Sequence, residues 1–221
     1  NIINSLKKLE YRGYDSAGLA TLDNDKISEK KCTGRVEELE KILFKTPSDG
    51  HLGIGHVRWA THGVPNIINA HPHSSEIVSI VHNGIIENYS TLKKMLKERG
   101  FKFQSQTDSE VIAHLLSLQL RNNNPKEAIK KALAYLDGAF AIAILFKKFN
   151  ILAGSRRGSP LALGVANGTT FLGSDSLALA PFTQNIIFMD EGDSVIIEEK
   201  KFEIFDKNFK KVKRNLTISS F

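Results

Sequence analysis

Apolar positions recur with two periods along this chain, and the change from one to the other divides it. From Asn1 to Leu9, residues Ile2, Ile3, Leu6 and Leu9 share one face of a helix. Residues 18–22, 52–59 and 77–81 form short runs rich in apolar and β-branched residues, bounded by Gly, Asp and Asn, which predicts strands. Helices follow. Ser90–Arg99 turns Leu92, Met95 and Leu96 inward and stops at Gly100. Thr107–Leu120 opens on Thr107 with Glu110 three residues on, the pattern of a capping box. A further helix begins at Pro125, where a missing N–H costs nothing, and carries Ala128, Ile129, Ala132, Leu133 and Leu136 as its stripe to near Asp137-Gly138.

Beyond Ala139 the pattern becomes a series of strands, at 139–146, 151–153, 161–165, 170–172, 186–189, 194–198 and 202–205. Their short links imply mostly antiparallel pairing. Ala139 to Leu145 is apolar at every position, so its sheet must be covered on both faces. The prediction is one α+β domain with strands sandwiched between helices, free of repeats and low-complexity tracts.

Composition changes this picture little. A chain of 221 residues that is 41% hydrophobic can bury a large core. The net charge of +6 raises nucleic-acid binding, but lysine doublets from Lys7-Lys8 to Lys200-Lys201 punctuate the whole sequence and only Lys207 to Arg214 clusters. A solvated surface is expected, with no nucleic-acid partner. No apolar run approaches the ~20 residues needed to span a bilayer. The single cysteine, Cys32, cannot form an internal disulfide. These features lead to the expectation of a cytoplasmic protein without a membrane anchor. The sequence opens inside a helical pattern and stops at Phe221 without a capping signal, so a longer polypeptide is expected around it.

Six of the seven histidines, His51, His56, His62, His71, His73 and His82, crowd a stretch that also holds Arg58, Trp59 and Asn83. His71 and His73 could offer two metal ligands and His62 or His82 a third, yet no carboxylate or thiol completes a recognised spacing. Alternate residues of a strand also point apart. Neither metal nor cofactor is expected. Taken singly, each histidine reads as a structural imidazole and Asn83-Gly84 as a tight turn, while a surface ion pair is the weaker reading of Arg58 beside Trp59. Trp59 reads as core, and Asp108 as an acid favoured by a helix dipole. Arg156-Arg157-Gly158-Ser159 has the makings of an anion cradle, but it is read as scaffold between strands.

The order of the motifs alters those readings. Arg58-Trp59-Ala60-Thr61-His62-Gly63, His82-Asn83-Gly84-Ile85-Ile86-Glu87-Asn88 and Thr107-Asp108-Ser109-Glu110 resemble the glutamine-site motifs of class II glutamine amidotransferases. Leu9-Glu10-Tyr11-Arg12-Gly13-Tyr14-Asp15-Ser16-Ala17-Gly18 adds a match to the aminosugar branch, the glucosamine-6-phosphate synthase family. The resemblance covers essentially the whole chain and implies a four-layer αββα sandwich of the N-terminal-nucleophile hydrolase type.

It also implies roles. The Asn83 amide and the Gly84 N–H would form the oxyanion hole, Arg58 would grip the α-carboxylate of L-glutamine, and Asp108 would accept from its α-ammonium. Thr61 and His62 would lie in a segment closing over the substrate, Trp59 would shield ammonia, and Arg12, His71 and His82 would give support. In this family the nucleophile is a first-residue cysteine whose own α-amine is the base, two groups matched at pKa ~8.5 and ~8. That residue would precede Asn1, and Cys32, being internal, cannot replace it. A polypeptide of these residues alone is therefore expected not to turn over glutamine. The whole enzyme would pass ammonia to sugar-isomerase domains acting on fructose 6-phosphate, as a homodimer. The alternatives are the glutaminase part of a purine-pathway amidophosphoribosyltransferase and a non-catalytic glutamine-binding module.

Overall fold

In a computed structural model, residues 1–60, 62–166, 168–199 and 201–219 are described. In chain order the elements are α1 (Ile2–Leu9), β1 (Ser16–Asp23), β2 (Lys26–Thr33), α2 (Val36–Lys45), β3 (Leu52–Arg58), β4 (His73–Ser74) and β5 (Val78–Ile86). There follow α3 (Tyr89–Glu98), α4 (Glu110–Leu120), α5 (Pro125–Leu133), β6 (Gly138–Phe146), β7 (Ile151–Arg157), β8 (Ala162–Ala166) and β9 (Thr169–Gly173). The last are β10 (Asn185–Phe188), β11 (Ser194–Glu198), β12 (Lys201–Phe205), β13 (Lys211–Val212) and β14 (Leu216–Ile218). Single 3₁₀ turns lie at Glu10–Arg12 and Ser176–Ala178.

Alternation along the strands sets the layers. The largest sheet has the order β13-β12-β11-β7-β6-β5-β4, and β5 pairs antiparallel with β6 from Val78 opposite Phe146 to Ile86 opposite Gly138. One face presents Val78, Ile80, Phe140, Ile142 and Ile144 to α3, α4 and α5. The other presents Val81, Ala141, Leu145 and Leu152 to residues of two smaller sheets, β2-β1-β3 and β14-β10-β8-β9. Leu6 of α1 and Val36 and Leu39 of α2 cover β1 from outside. The result is the expected αββα sandwich. The all-apolar run in β6 is explained, because both of its faces are buried.

Five elements lie outside the sequence reading: β2, α2 and the short strands β4, β13 and β14. The β1–β2 hairpin turns at Asn24 and Asp25, both at positive φ, and β2 carries only Ile27 and Cys32 as apolar residues, too few to signal a strand. By contrast α2 shows its stripe plainly, Val36, Leu39, Ile42 and Leu43, and was legible.

Two predicted boundaries are corrected, and the first is the end of α5, which stops at Leu133 rather than near Asp137-Gly138 and leaves Leu136 beyond the helix. Helix α4 begins at Glu110, not Thr107, and no capping box forms. Thr107 instead meets Nε2 of His73 at 3.1 Å, while Glu110 accepts from the backbone N–H groups of Gln104 and Ser105 at 2.8 and 2.7 Å. Tertiary partners outcompete the local cap. At the start of α5 the local signals hold: Asn124 accepts from Glu127 N–H at 3.0 Å ahead of Pro125.

Helix α4 is apolar around most of its circumference because it sits between the large sheet and its two neighbouring helices. Leu115→Ala, at a fully buried position, is expected to cost about 2–5 kcal/mol. Urea unfolding should show a lower midpoint with an unchanged slope.

Candidate functional site

Strand β5 carries the site because its alternation separates two tasks. His82 shares a face with Val78 and Ile80 and meets Ser109 at the start of α4. Asn83, one residue on, shares the opposite face with Val81 and borders a cavity of about 770 Å³ between the two sheet layers. Arg12, Arg58, Trp59, Gly84 and Asp108 line the same cavity. Asn83 and Gly84 lie inside the strand, so the tight-turn reading is excluded. Gly84 has φ +136°, and a Cβ there would come within 2.0 Å of the Ala139 carbonyl oxygen, so this position admits only glycine.

Arg58 ends β3 and is buried, which excludes the surface ion pair. Its Nη2 donates to the carbonyls of His62 and Gly63, and its Nη1 has no partner among the described residues. Burial lowers the guanidinium pKa from its ordinary value, opposed by the charges of Asp15 and Asp108. Asp108 is also buried. Its Oδ2 accepts from the Ile86 N–H at 2.7 Å and its Oδ1 lies 3.8 Å from His62 Nδ1. It precedes α4 rather than sitting in its first turn, so its position is set by β5 and not by a helix dipole. A buried cation with a free N–H and a buried carboxylate on one cavity suit a zwitterion.

The crowded histidines form a network beside the cavity. Ser109 Oγ lies 3.0 Å from His71 Nε2 and 2.9 Å from His82 Nδ1. One hydroxyl donates a single proton, so at least one of the two imidazoles must donate its N–H to Ser109 Oγ. His71 stacks at 4.1 Å on His56 and meets His73 edge-on at 4.7 Å. Burial, reinforced by neighbouring positive groups, holds His56 and His73 down to about 3 and His71 well below its ordinary value. Burial also lowers His82, to about 4, against the pull of Asp108. All four are neutral at pH 7. Among the described residues no group of three or more His, Cys, Asp or Glu side chains is arranged to hold a metal ion.

The remaining candidates are spread around the mouth. Trp59 is 60% exposed, so it is not core; its ring meets Tyr14 edge-on at 5.9 Å. His62 packs edge-on against Tyr89. Thr61 lies outside the described residues. Arg12 pairs with Asp175 at 2.7 Å and reaches Ser174, joining the two 3₁₀ turns at the rim. Arg156 and Arg157 are engaged with Glu191, the Met189 carbonyl and the carbonyls of Leu133 and Leu136, which favours scaffold over an anion cradle. Cys32 is buried in the α1–α2 cluster.

Two contributors have no role in the sequence reading. Asp15 accepts from the Ala60 N–H at 2.6 Å and its own N–H donates to the Arg58 carbonyl at 2.9 Å, fixing the segment after Arg58. It lies in the tyrosine-rich motif, which was the available signal. Ser109 likewise lies in the Thr107–Glu110 motif.

A family model described as a glutamine amidotransferase domain matches residues 67–181. A glutamine–fructose-6-phosphate aminotransferase (isomerizing) of Mesorhizobium japonicum is 50% identical over 215 residues, 96% of this chain and 35% of that protein. The protein of the same name from Zymomonas mobilis is 47% identical over 99% of this chain and 36% of its own length. This chain thus spans about a third of the length of these relatives. Among solved structures, a glutamine phosphoribosylpyrophosphate amidotransferase from B. subtilis superposes with a TM-score of 0.80 at 26% identity, over 93% of this chain and 46% of that one. A glutamine aminotransferase class-II domain protein from Silicibacter pomeroyi gives 0.64 at 16% identity, over 87% and 91%, and shares the fold. The architecture is that of the N-terminal-nucleophile hydrolases.

The neutral histidines tie stability to pH. Their folded pKa values lie below the unfolded value of about 6.5, so their contribution is intact above pH 6.5 and is lost as pH falls toward about 3–4. Urea midpoints should begin to decline near pH 6.5, above the range in which carboxylates titrate. Ser109→Ala leaves two buried imidazole nitrogens unpartnered and is expected to cost about 1–3 kcal/mol at pH 7, read by the same unfolding measurement.

Proposed function

This chain belongs to the glutamine amidotransferase domain family, and on that premise we propose that its cavity binds L-glutamine and polarises the side-chain amide for hydrolysis to glutamate and ammonia. The observation that carries the reading is the placement of Arg58, Asp108, Asn83 and Gly84 on one cavity, three of them from segments far apart in sequence. The unpartnered Nη1 of Arg58 would take the α-carboxylate, and Asp108 would accept from the α-ammonium. Fixed at their α ends, substrate molecules extend their amide toward β5.

Attack on that amide places negative charge on the former carbonyl oxygen. The Asn83 amide and the Gly84 N–H would stabilise it, held in register by the antiparallel pairing of β5 with β6. Trp59, at the rim, would limit water around released ammonia, and Thr61 and His62 would close over the substrate. Arg12, His71 and His82 would act as supports, the histidines through Ser109.

The chemistry needs a thiol. Cys32 is the sole cysteine of these residues and is buried away from the cavity. The reading therefore places the nucleophile on a cysteine N-terminal to Asn1 in the whole protein, with its own α-amine as base. In that whole protein the ammonia would serve to make glucosamine 6-phosphate from fructose 6-phosphate, supported by the two aminotransferase relatives. Partner sugar-isomerase domains and a homodimer, in the cytoplasm, belong to the same proposal. Among the described residues no helix is long and apolar enough to cross a membrane.

A polypeptide limited to these residues is expected to release no ammonia from glutamine, whereas the whole protein does; equal rates from both would refute the assignment of the nucleophile. In the whole protein Asn83→Ala should lower kcat by roughly 10²- to 10³-fold. Arg58→Lys should instead raise KM with little change in kcat, because the α-carboxylate contact is present in both ground and transition states. Steady-state assays of glutamate formation separate the two.

A further inference from the structure

Beyond the Asp15–Ala60 bond, the segment after Arg58 has two further anchors, and only the first belongs to the site described above. At its near end Arg58 Nη2 holds the carbonyls of His62 and Gly63. At its far end stands Asn69, a polar residue 1% exposed. Its Nδ2 donates to the Val64 carbonyl at 2.9 Å and to Gln106 Oε1 at 3.0 Å, and its Oδ1 accepts from the Gln106 N–H at 2.9 Å. Its own N–H donates to Asn66 Oδ1 at 2.8 Å. Gly63 packs so closely that a Cβ would come within 2.6 Å of Asn69 Nδ2 and 2.9 Å of Gln106 Cβ, and its φ is +79°.

Gln106 lies two residues before Asp108. The Asn69–Gln106 pair is thus a reciprocal amide clasp joining the segment that holds the Arg58 guanidinium to the loop that presents the Asp108 carboxylate. A zwitterion bridged by that cation and that anion needs them at a fixed separation. We propose that Asn69 and Gln106 are positioning residues that set this separation, and so govern affinity for the α-amino acid end of the substrate without taking part in the amide chemistry. This rests on the glutamine reading of the site.

The chemistry of the clasp distinguishes it from mere packing. Gln106→Ala removes the side-chain bond but keeps the backbone one, whereas Gln106→Glu keeps an acceptor for Asn69 Nδ2. Asn69→Ala removes all three side-chain bonds and keeps only the backbone bond to Asn66. In the whole protein, Asn69→Ala is expected to raise KM for glutamine about tenfold and Gln106→Ala about fivefold, with kcat nearly unchanged. Gln106→Glu should stay near wild type, and the double alanine variant should be no worse than Asn69→Ala alone.

Amide hydrogen exchange over residues 63–69, followed by mass spectrometry without glutamine, should rise in both alanine variants and not in Gln106→Glu. Unchanged KM and unchanged exchange in Gln106→Ala would overturn the proposal, as would equal losses in Gln106→Glu and Gln106→Ala. Should Asn69→Ala fail to fold, the Gln106 pair of variants carries the test. A wild-type protein without glutaminase activity would refute the functional reading instead, and the exchange experiment would then decide the clasp by itself.

Discussion

Everything in this molecule depends on the register of β5 against β6. The pairing is antiparallel from Val78 to Ile86, and β6 is covered on both faces. A slip of one residue would turn the whole set of β5 side chains over. Val81 would then face the helices and Ile80 the inter-sheet layer, and His82 and Asn83 would exchange sides. Burial on both faces makes such a slip prohibitively costly, and this fixes Asn83 at the cavity and His82 at Ser109.

Around that strand the protein buries a costly set of polar groups. The fields of Asp15 and Asp108 offset the burial of the Arg58 guanidinium, which two carbonyls also hold, and Asp108 is itself tied to the Ile86 N–H. The histidines take the other course. They are too deeply buried to hold a proton near neutrality, so they pack as neutral rings, and one nitrogen each of His71, His82 and His73 meets Ser109 or Thr107. Glu110 shows a third solution. Burial pushes its carboxyl up, but bonds from His114, Ser105 and the N–H groups of Gln104 and Ser105 outweigh this and hold it at about 2. Each solution also fixes a loop, so the network that tolerates buried charge is the same one that positions Asp108 and the segment after Arg58.

This gives the site a division of labour. On the proposed reading, strand β5 would supply a rigid platform on which charge is stabilised, and the end of β3 and the loop before α4 would supply Arg58 and Asp108 to recognise a zwitterion. Rigid elements suit the first task because oxyanion donors act only if they are in place beforehand.

The sequence by itself determined the elements whose signals are local: the stripe and Pro125 start of α5, the doubly covered β6, and the change from helices to strands near Ala139. Its motifs also named Arg58, Asn83, Gly84 and Asp108, because their spacing is distinctive even where each residue alone has an ordinary reading. What it could not determine were the outcomes of competition between local and distant partners. Thr107 and Glu110 form a capping box on paper, yet His73 and the loop at 104–105 claim them. Asn83-Gly84 looks like a turn until pairing with β6 absorbs it into a strand. Ser109 and the Asn69–Gln106 clasp carry no periodicity, because hydrogen bonds between residues 27 to 38 positions apart leave no trace in a local pattern. Only tertiary structure decides such pairs, since desolvating a polar group is tolerable only once its distant partner has arrived.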